Sequence, residues 1–114
     1  MAMQVLFAGV PVTDFSRSQD WYARLFGRAP DVVAHDREVM WQVTDGGWVY
    51  IVEEPDRAGG SLVAIAVDNL QAALDELESR GLRAGPIEAQ GEGARKATVT
   101  DPDGNVVAFL EVDG

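Results

Sequence analysis

The feature that most constrains this chain is a strand–turn–strand phrase that occurs in it twice. Thr98 to Val112 reads T-V-T-D-P-D-G-N-V-V-A-F-L-E-V, with β-branched and apolar residues on both sides of Asp101-Pro102-Asp103-Gly104-Asn105. In such a turn Pro presets φ, Gly supplies φ > 0, and Asp and Asn bond back to nearby backbone, which predicts a hairpin. Val43 to Glu53 has the same form, opens on the same Val-Thr-Asp and turns at Gly46-Gly47. A phrase repeated at a separation of about 55 residues signals two equivalent structural units.

The flanking segments repeat too. Gln4 to Val12 is an apolar run read as a strand; alternation sends Leu6, Ala8, Val10 and Val12 to one face and Val5, Phe7, Gly9 and Pro11 to the other. Asp14 is placed to cap a helix whose buried stripe is Phe15, Ser18, Tyr22, Leu25 and Phe26, and Gly27 and Pro30 end it. Short strands are expected over Asp31–Ala34, Val39–Val43 and Trp48–Glu53, and Pro55 to Gly60 reads as a polar connector. The second unit has Ser61–Val67 as a strand and Asn69 as a cap. Leu70, Ala73, Leu74 and Leu77 form its helical stripe, and Gly81 stops the helix. Ile87–Gln90, Lys96–Thr100 and Val106–Val112 supply its other strands, with Gly91 to Arg95 expected as a mobile loop. The prediction is an α+β chain of two βαβββ modules in tandem, its helices covering one face of mixed sheet. Module one spans about 4–53, the connector 54–60 and module two about 61–112, all within a single domain, 1–114.

Composition narrows the function. The 114 residues suffice for a core without covalent staples, and there is no cysteine, hence no disulfide, thiolate metal site or cysteine nucleophile. No apolar run reaches membrane-spanning length, and Met1-Ala2-Met3-Gln4 lacks the basic start of a signal peptide, so a cytoplasmic protein is expected. A net charge of −10 disfavours nucleic acid and anionic membrane surfaces as partners and attracts cationic small molecules.

The segments Val12-Thr13-Asp14-Phe15-Ser16-Arg17-Ser18, Trp21-Tyr22-Ala23-Arg24-Leu25-Phe26-Gly27 and Asp101-Pro102-Asp103-Gly104-Asn105 together resemble the vicinal oxygen chelate superfamily of glyoxalases, bleomycin-resistance proteins and extradiol dioxygenases. The resemblance covers essentially the whole chain. It implies modules curled into a cup, a homodimer, and, in the family's enzymes, a divalent metal held in the cup by His and Glu. Carried over by position, the four ligand places fall on Phe7, Tyr50, Leu62 and Ala108. A metal requires nitrogen, carboxylate or sulfur donors in fixed geometry. A phenyl, an isobutyl and a methyl group offer none, and one phenol is not a site. A slip of one residue in strand register brings no better donors. Neither metal nor cofactor is expected. The only histidine, His35, lies in the hydrophilic stretch His35-Asp36-Arg37-Glu38 and is expected to be solvated. Glu53 and Glu111 end their strands, at the rim.

Alternation gives the cup face Phe7, Gly9, Met40, Gln42, Trp48, Tyr50, Val52, Leu62, Ala64, Thr98, Thr100, Ala108 and Leu110. The opposite face, with Val10, Val49, Ile51, Val63, Ile65, Val67, Val107 and Phe109, packs under the helices. Trp41 joins the helix side if Tyr50 faces the cup. Candidate ligand-binding residues are therefore Phe7, Met40, Gln42, Trp48, Tyr50, Leu62, Thr98 and Ala108: apolar walls with sparse polar groups, and aromatics able to stack on a planar or cationic group. The same residues could instead fill a closed core or a dimer interface. No serine has a histidine near it in sequence to activate it. The expected function is metal-independent binding or sequestration of a small molecule, cationic or aromatic in character, as in the family's bleomycin-resistance branch. A glyoxalase-like lyase or isomerase, or a dioxygenase relative working through a carboxylate such as Glu53, is the alternative.

Overall fold

In the computed structural model residues 1–112 are described, and the sequence repeat appears as two units of strand, helix and three strands. The first holds β1 (Leu6–Val12), α1 (Phe15–Phe26), β2 (Val32–His35), β3 (Glu38–Thr44) and β4 (Gly47–Glu53). A single 3-10 turn, Pro55–Arg57, sits in the connector. The second holds β5 (Leu62–Ala66), α2 (Leu70–Ser79), β6 (Glu88–Ala89), β7 (Ala94–Thr100) and β8 (Val106–Val112). Two four-stranded sheets result, in the orders β1-β4-β3-β2 and β5-β8-β7-β6. In each, the first strand runs parallel to the last, and the hairpins pair antiparallel.

Both helices begin and end on the residues expected. The Asp14 carboxylate accepts from the Arg17 amide at 3.1 Å, and the Asn69 side chain accepts from the Ala72 amide at 3.0 Å. Gly27, at φ 74°, closes α1 in the left-handed conformation that a side chain would oppose. Next to it Arg80, at the end of α2, reaches across and donates to the Arg24 and Leu25 carbonyls, so one module's arginine caps the other module's helix. Nothing local in the sequence marks this contact between modules.

Alternation divides each sheet. Val10, Val12, Val39, Trp41, Val49 and Ile51 are buried on the helix side of the first sheet; Ala97, Val99, Val107 and Phe109 are buried on that side of the second. With Tyr22, Leu25, Leu70 and Leu77 they form one core shared by both modules. Trp41 is fully buried, its indole N–H donating to the Arg28 carbonyl at 3.0 Å. One expectation fails. Ala94 and Arg95 are not loop but the start of β7, because Arg95 pairs in register with Glu111 and its guanidinium donates to that carboxylate at 2.7 Å.

Two polar groups in this frame have measurable consequences. The Ser18 hydroxyl, on the buried stripe of α1, has no hydrogen-bond partner among the described residues. An unpaired buried hydroxyl costs stability, so Ser18→Ala is expected to raise the urea unfolding free energy by about 0.5–1 kcal/mol. Glu111 accepts from the Leu70 amide at 2.8 Å, and that bond, followed by Arg95, holds its carboxyl below the usual range. The folded protein thus binds this proton less readily than the unfolded chain. The stabilisation is complete above the unfolded carboxyl value and vanishes as pH falls through the lowered folded one. Urea midpoints for wild type and Glu111→Gln should differ at pH 7 and converge in acid.

Candidate ligand-binding face

On the first sheet the face away from the helices is aromatic. Phe7 and Trp48 are register partners on β1 and β4 and stack with ring centroids 6.2 Å apart and planes 29° from parallel. One row along, Tyr50 stands opposite Gly9. A Cβ on Gly9 would lie 2.5 Å from the Tyr50 ring and hydroxyl, so the missing side chain is the space the phenol occupies. Met40 is the partner of Tyr50 on β3, and Gln42 the partner of Trp48. The Gln42 amide donates to the Asp45 carbonyl at 3.0 Å, which ties it to the hairpin turn. Phe7, Met40, Gln42, Trp48 and Tyr50 therefore come together on one face, with Phe7 half exposed.

The corresponding face of the second sheet is small and aliphatic. Ala64, Ala108 and Thr98 form one cross-strand row on β5, β8 and β7; Leu62, Val106 and Thr100 form the next, and Ala66, Leu110 and Lys96 the one on the other side. Ala108 is almost buried, being a methyl group on a central strand, while Leu62 on the edge strand is 71% exposed. Leu62, Thr98 and Ala108 are thus neighbours of one another on a different sheet from the aromatic group. A groove of about 240 Å³ between the two modules is lined by Trp48, Ala64 and Ala66 from these faces and by Leu6, Ala8, Val49, Val63 and Ile65 from the helix side of the sheets.

At the positions carried over for metal ligands stand Phe7, Tyr50, Leu62 and Ala108, and among the described residues no group of three or more His, Cys, Asp or Glu side chains could hold an ion. These side chains do not suit a divalent metal. His35 is exposed on β2, where its Nδ1 accepts from the Arg37 amide at 3.1 Å. Glu53 lies 3.7 Å from the Arg37 guanidinium, and Glu111 is committed to the start of α2.

What holds the two faces in place is a polar network centred on the Asp-Pro-Asp-Gly-Asn turn. One Asp101 oxygen accepts from the Asp103 and Asn105 amides at 2.8 and 2.9 Å; the other accepts from the Tyr22 hydroxyl and the Asn105 side-chain amide, both at 2.9 Å. Asn105 in turn donates to the Pro11 carbonyl and accepts from the Gly59 and Ser61 amides. Asp101 and Asn105 are 4% and 1% exposed, and the bonds that link Asp101 to the Tyr22 hydroxyl and to Asn105 are made out of water. Burial, then the adjacent Asp101, raises the Tyr22 phenol above its ordinary value and keeps it a donor. Asp103 also binds the Thr13 amide and hydroxyl. The turn thereby joins the end of β1, helix α1, the connector and the second hairpin. Sequence reading recognised the turn but assigned its side chains only to local backbone.

Residues 4–109 match the model of the Glyoxalase/Bleomycin resistance protein/Dioxygenase superfamily. No curated protein matches the chain. Among solved structures, a glyoxalase/bleomycin resistance protein from Catenulispora acidiphila DSM 44928 is 42% identical over 95% of this chain and 97% of its own, with a TM-score of 0.89. TnmS3, an antibiotic binding protein from Streptomyces sp. CB03234, is 25% identical over 96% and 95%, with a TM-score of 0.74. A bleomycin-binding protein complexed with bleomycin, 21% identical over 95% and 98% at a TM-score of 0.77, shares the fold.

Proposed function

This chain belongs to the glyoxalase/bleomycin resistance protein/dioxygenase superfamily, and from that premise we propose that it binds a small planar aromatic molecule without a metal. The observation that carries the reading is the stacked Phe7–Trp48 pair beside Tyr50, with Trp48 also bordering an apolar groove that Ala64 and Ala66 line from the other module. Aromatic rings supply large apolar contact at low entropic cost, and apolar space beside them admits a flat ligand. Phe7, Met40, Gln42, Trp48 and Tyr50 form the stacking wall; Leu62, Thr98 and Ala108 line the facing surface. The likeness to an antibiotic binding protein supports sequestration over turnover. The net charge of −10 favours ligands that also carry a cation.

The side chains at the ligand positions, none of which supplies imidazole or carboxylate, support the metal-independent reading. We further propose that the exposed apolar residues of the two sheet faces, Phe7 and Leu62 among them, are covered by a second copy of the chain. Sedimentation equilibrium would show a dimer; a monomer at all concentrations would remove that part. The binding reading is tested by titrating chelator-treated protein with the neutral dye N-phenyl-1-naphthylamine and following dye emission. Saturable binding at one site per protomer, unchanged by added zinc, nickel, manganese or iron(II), is expected. Absence of saturable binding, or binding only after an ion is restored, would overturn it.

A further inference from the structure

The chain has a single lysine, and its position is unusual for an acidic protein. Of the nine basic residues eight are arginines, and the ninth, Lys96, is on β7. Ala97 and Val99 point into the core at 1% and 3% exposure, so Lys96, Thr98 and Thr100 point to the opposite face, the one that carries Ala108. Lys96 is half-buried there and forms neither a hydrogen bond nor an ion pair with any described residue. Glu88 is its register partner on β6, but that carboxylate is exposed and the two do not pair. An ammonium group left unpaired on a largely apolar face, in a molecule with 19 acidic residues, is available to a ligand.

The rows of the sheet place it relative to the groove. Ala66, which lines the groove with Trp48, is the partner of Leu110, and Leu110 is the partner of Lys96. Two strand spacings, about 10 Å, separate Ala66 from Lys96, a span a two-ring molecule can cover. Between them lie only Leu110 and, one row over, the methyl of Ala108 and the hydroxyl of Thr98.

We propose that Lys96 is a specificity-determining residue that receives an anionic group, a carboxylate or sulfonate, on an aromatic ligand whose rings lie in the groove at Trp48. The proposal rests on the aromatic-binding reading and adds to it the charge the ligand must carry at one end. Thr98, two residues along the same face, is the second donor. The overall negative field and the local ammonium act at different ranges: the first governs approach and is screened by salt, the second fixes orientation at contact. Together they favour a ligand with both a cationic and an anionic end over a simple anion.

Two dyes of nearly the same shape test this. 8-Anilinonaphthalene-1-sulfonate carries a sulfonate where N-phenyl-1-naphthylamine carries hydrogen. Lys96→Met, which keeps the apolar stem, is expected to weaken the sulfonate at least tenfold and leave the neutral dye within twofold. Equal affinity of Lys96→Met and wild type for the sulfonate would overturn the proposal while leaving the aromatic reading intact. Failure of the wild type to bind either dye would remove both. A second readout needs no variant: after reductive 13C-methylation, the single lysine gives one dimethylammonium side-chain signal beside that of the amino terminus. That signal should move on addition of the sulfonate and stay fixed with the neutral dye; movement with neither would also overturn it.

Discussion

Asp101→Ala is expected to lower the unfolding free energy by about 3–4 kcal/mol, more than any surface substitution in the chain. The carboxyl group is 4% exposed and accepts four hydrogen bonds, two from the turn's own backbone and two from side chains that are themselves buried. Its removal leaves the Tyr22 hydroxyl and the Asn105 amide without this acceptor and opens space that neither can fill. Tyr22→Phe removes only one donor and should cost about 1 kcal/mol. A double-mutant cycle between the two, measured by urea unfolding, isolates their coupling. If Asp101→Ala and Tyr22→Phe were additive and both small, the network would be incidental to stability. The effect should also reach beyond the turn. Asn105, oriented by Asp101, holds the Gly59 and Ser61 amides and the Pro11 carbonyl, so loosening it frees the ends of β1 and the connector together. Hydrogen exchange at Gly59 and Ser61 should accelerate in Asp101→Ala.

The hairpin centred on Asp101 was legible because turn chemistry is local: proline, glycine and the short polar side chains act within five residues. The helices were legible for the same reason, from a stripe, a cap and a stop in each. Trp41 fell on the helix side by alternation against Tyr50, since a strand's two-residue period fixes every side chain once one is placed. Ala94 and Arg95 read as loop in the sequence because the partner that makes them strand, Glu111, is distant in sequence. Likewise, nothing local marks Arg80 as the cap of α1, or Asp101 as the partner of Tyr22. Those contacts depend on how two modules sit against each other, and sequence patterning describes each module separately. The candidate site shows the same limit. Alternation places Phe7, Tyr50 and Thr98 on their faces, but the groove that Trp48 shares with Ala64 and Ala66 depends on how the two modules sit together. The sequence shows Lys96 as the first residue of a strand and as the sole lysine; that no described residue pairs with it is a property of the fold.

Trp48→Ala is expected to weaken binding of N-phenyl-1-naphthylamine by about 30-fold, or roughly 2 kcal/mol, with little loss of stability. The indole is half-buried, stacks on Phe7 and borders the groove that Ala64 and Ala66 line from the other sheet. Its truncation removes ring contact and widens the groove, while Ile51, fully buried on the other side of β4, keeps its packing. Gly9→Ala should act on the same wall indirectly. The added methyl cannot share the space of the Tyr50 ring, so the phenol must swing away, and affinity should fall by a smaller factor while Trp48 stays in place. The order of effects, Trp48→Ala greater than Gly9→Ala, separates a ligand seated in the groove from one seated over Tyr50. The reverse order would move the site along β4 toward Met40 and away from Lys96, and would then take the anion-binding role of that lysine with it. Dye emission titrations, which do not depend on the substituted tryptophan, measure both variants on one scale.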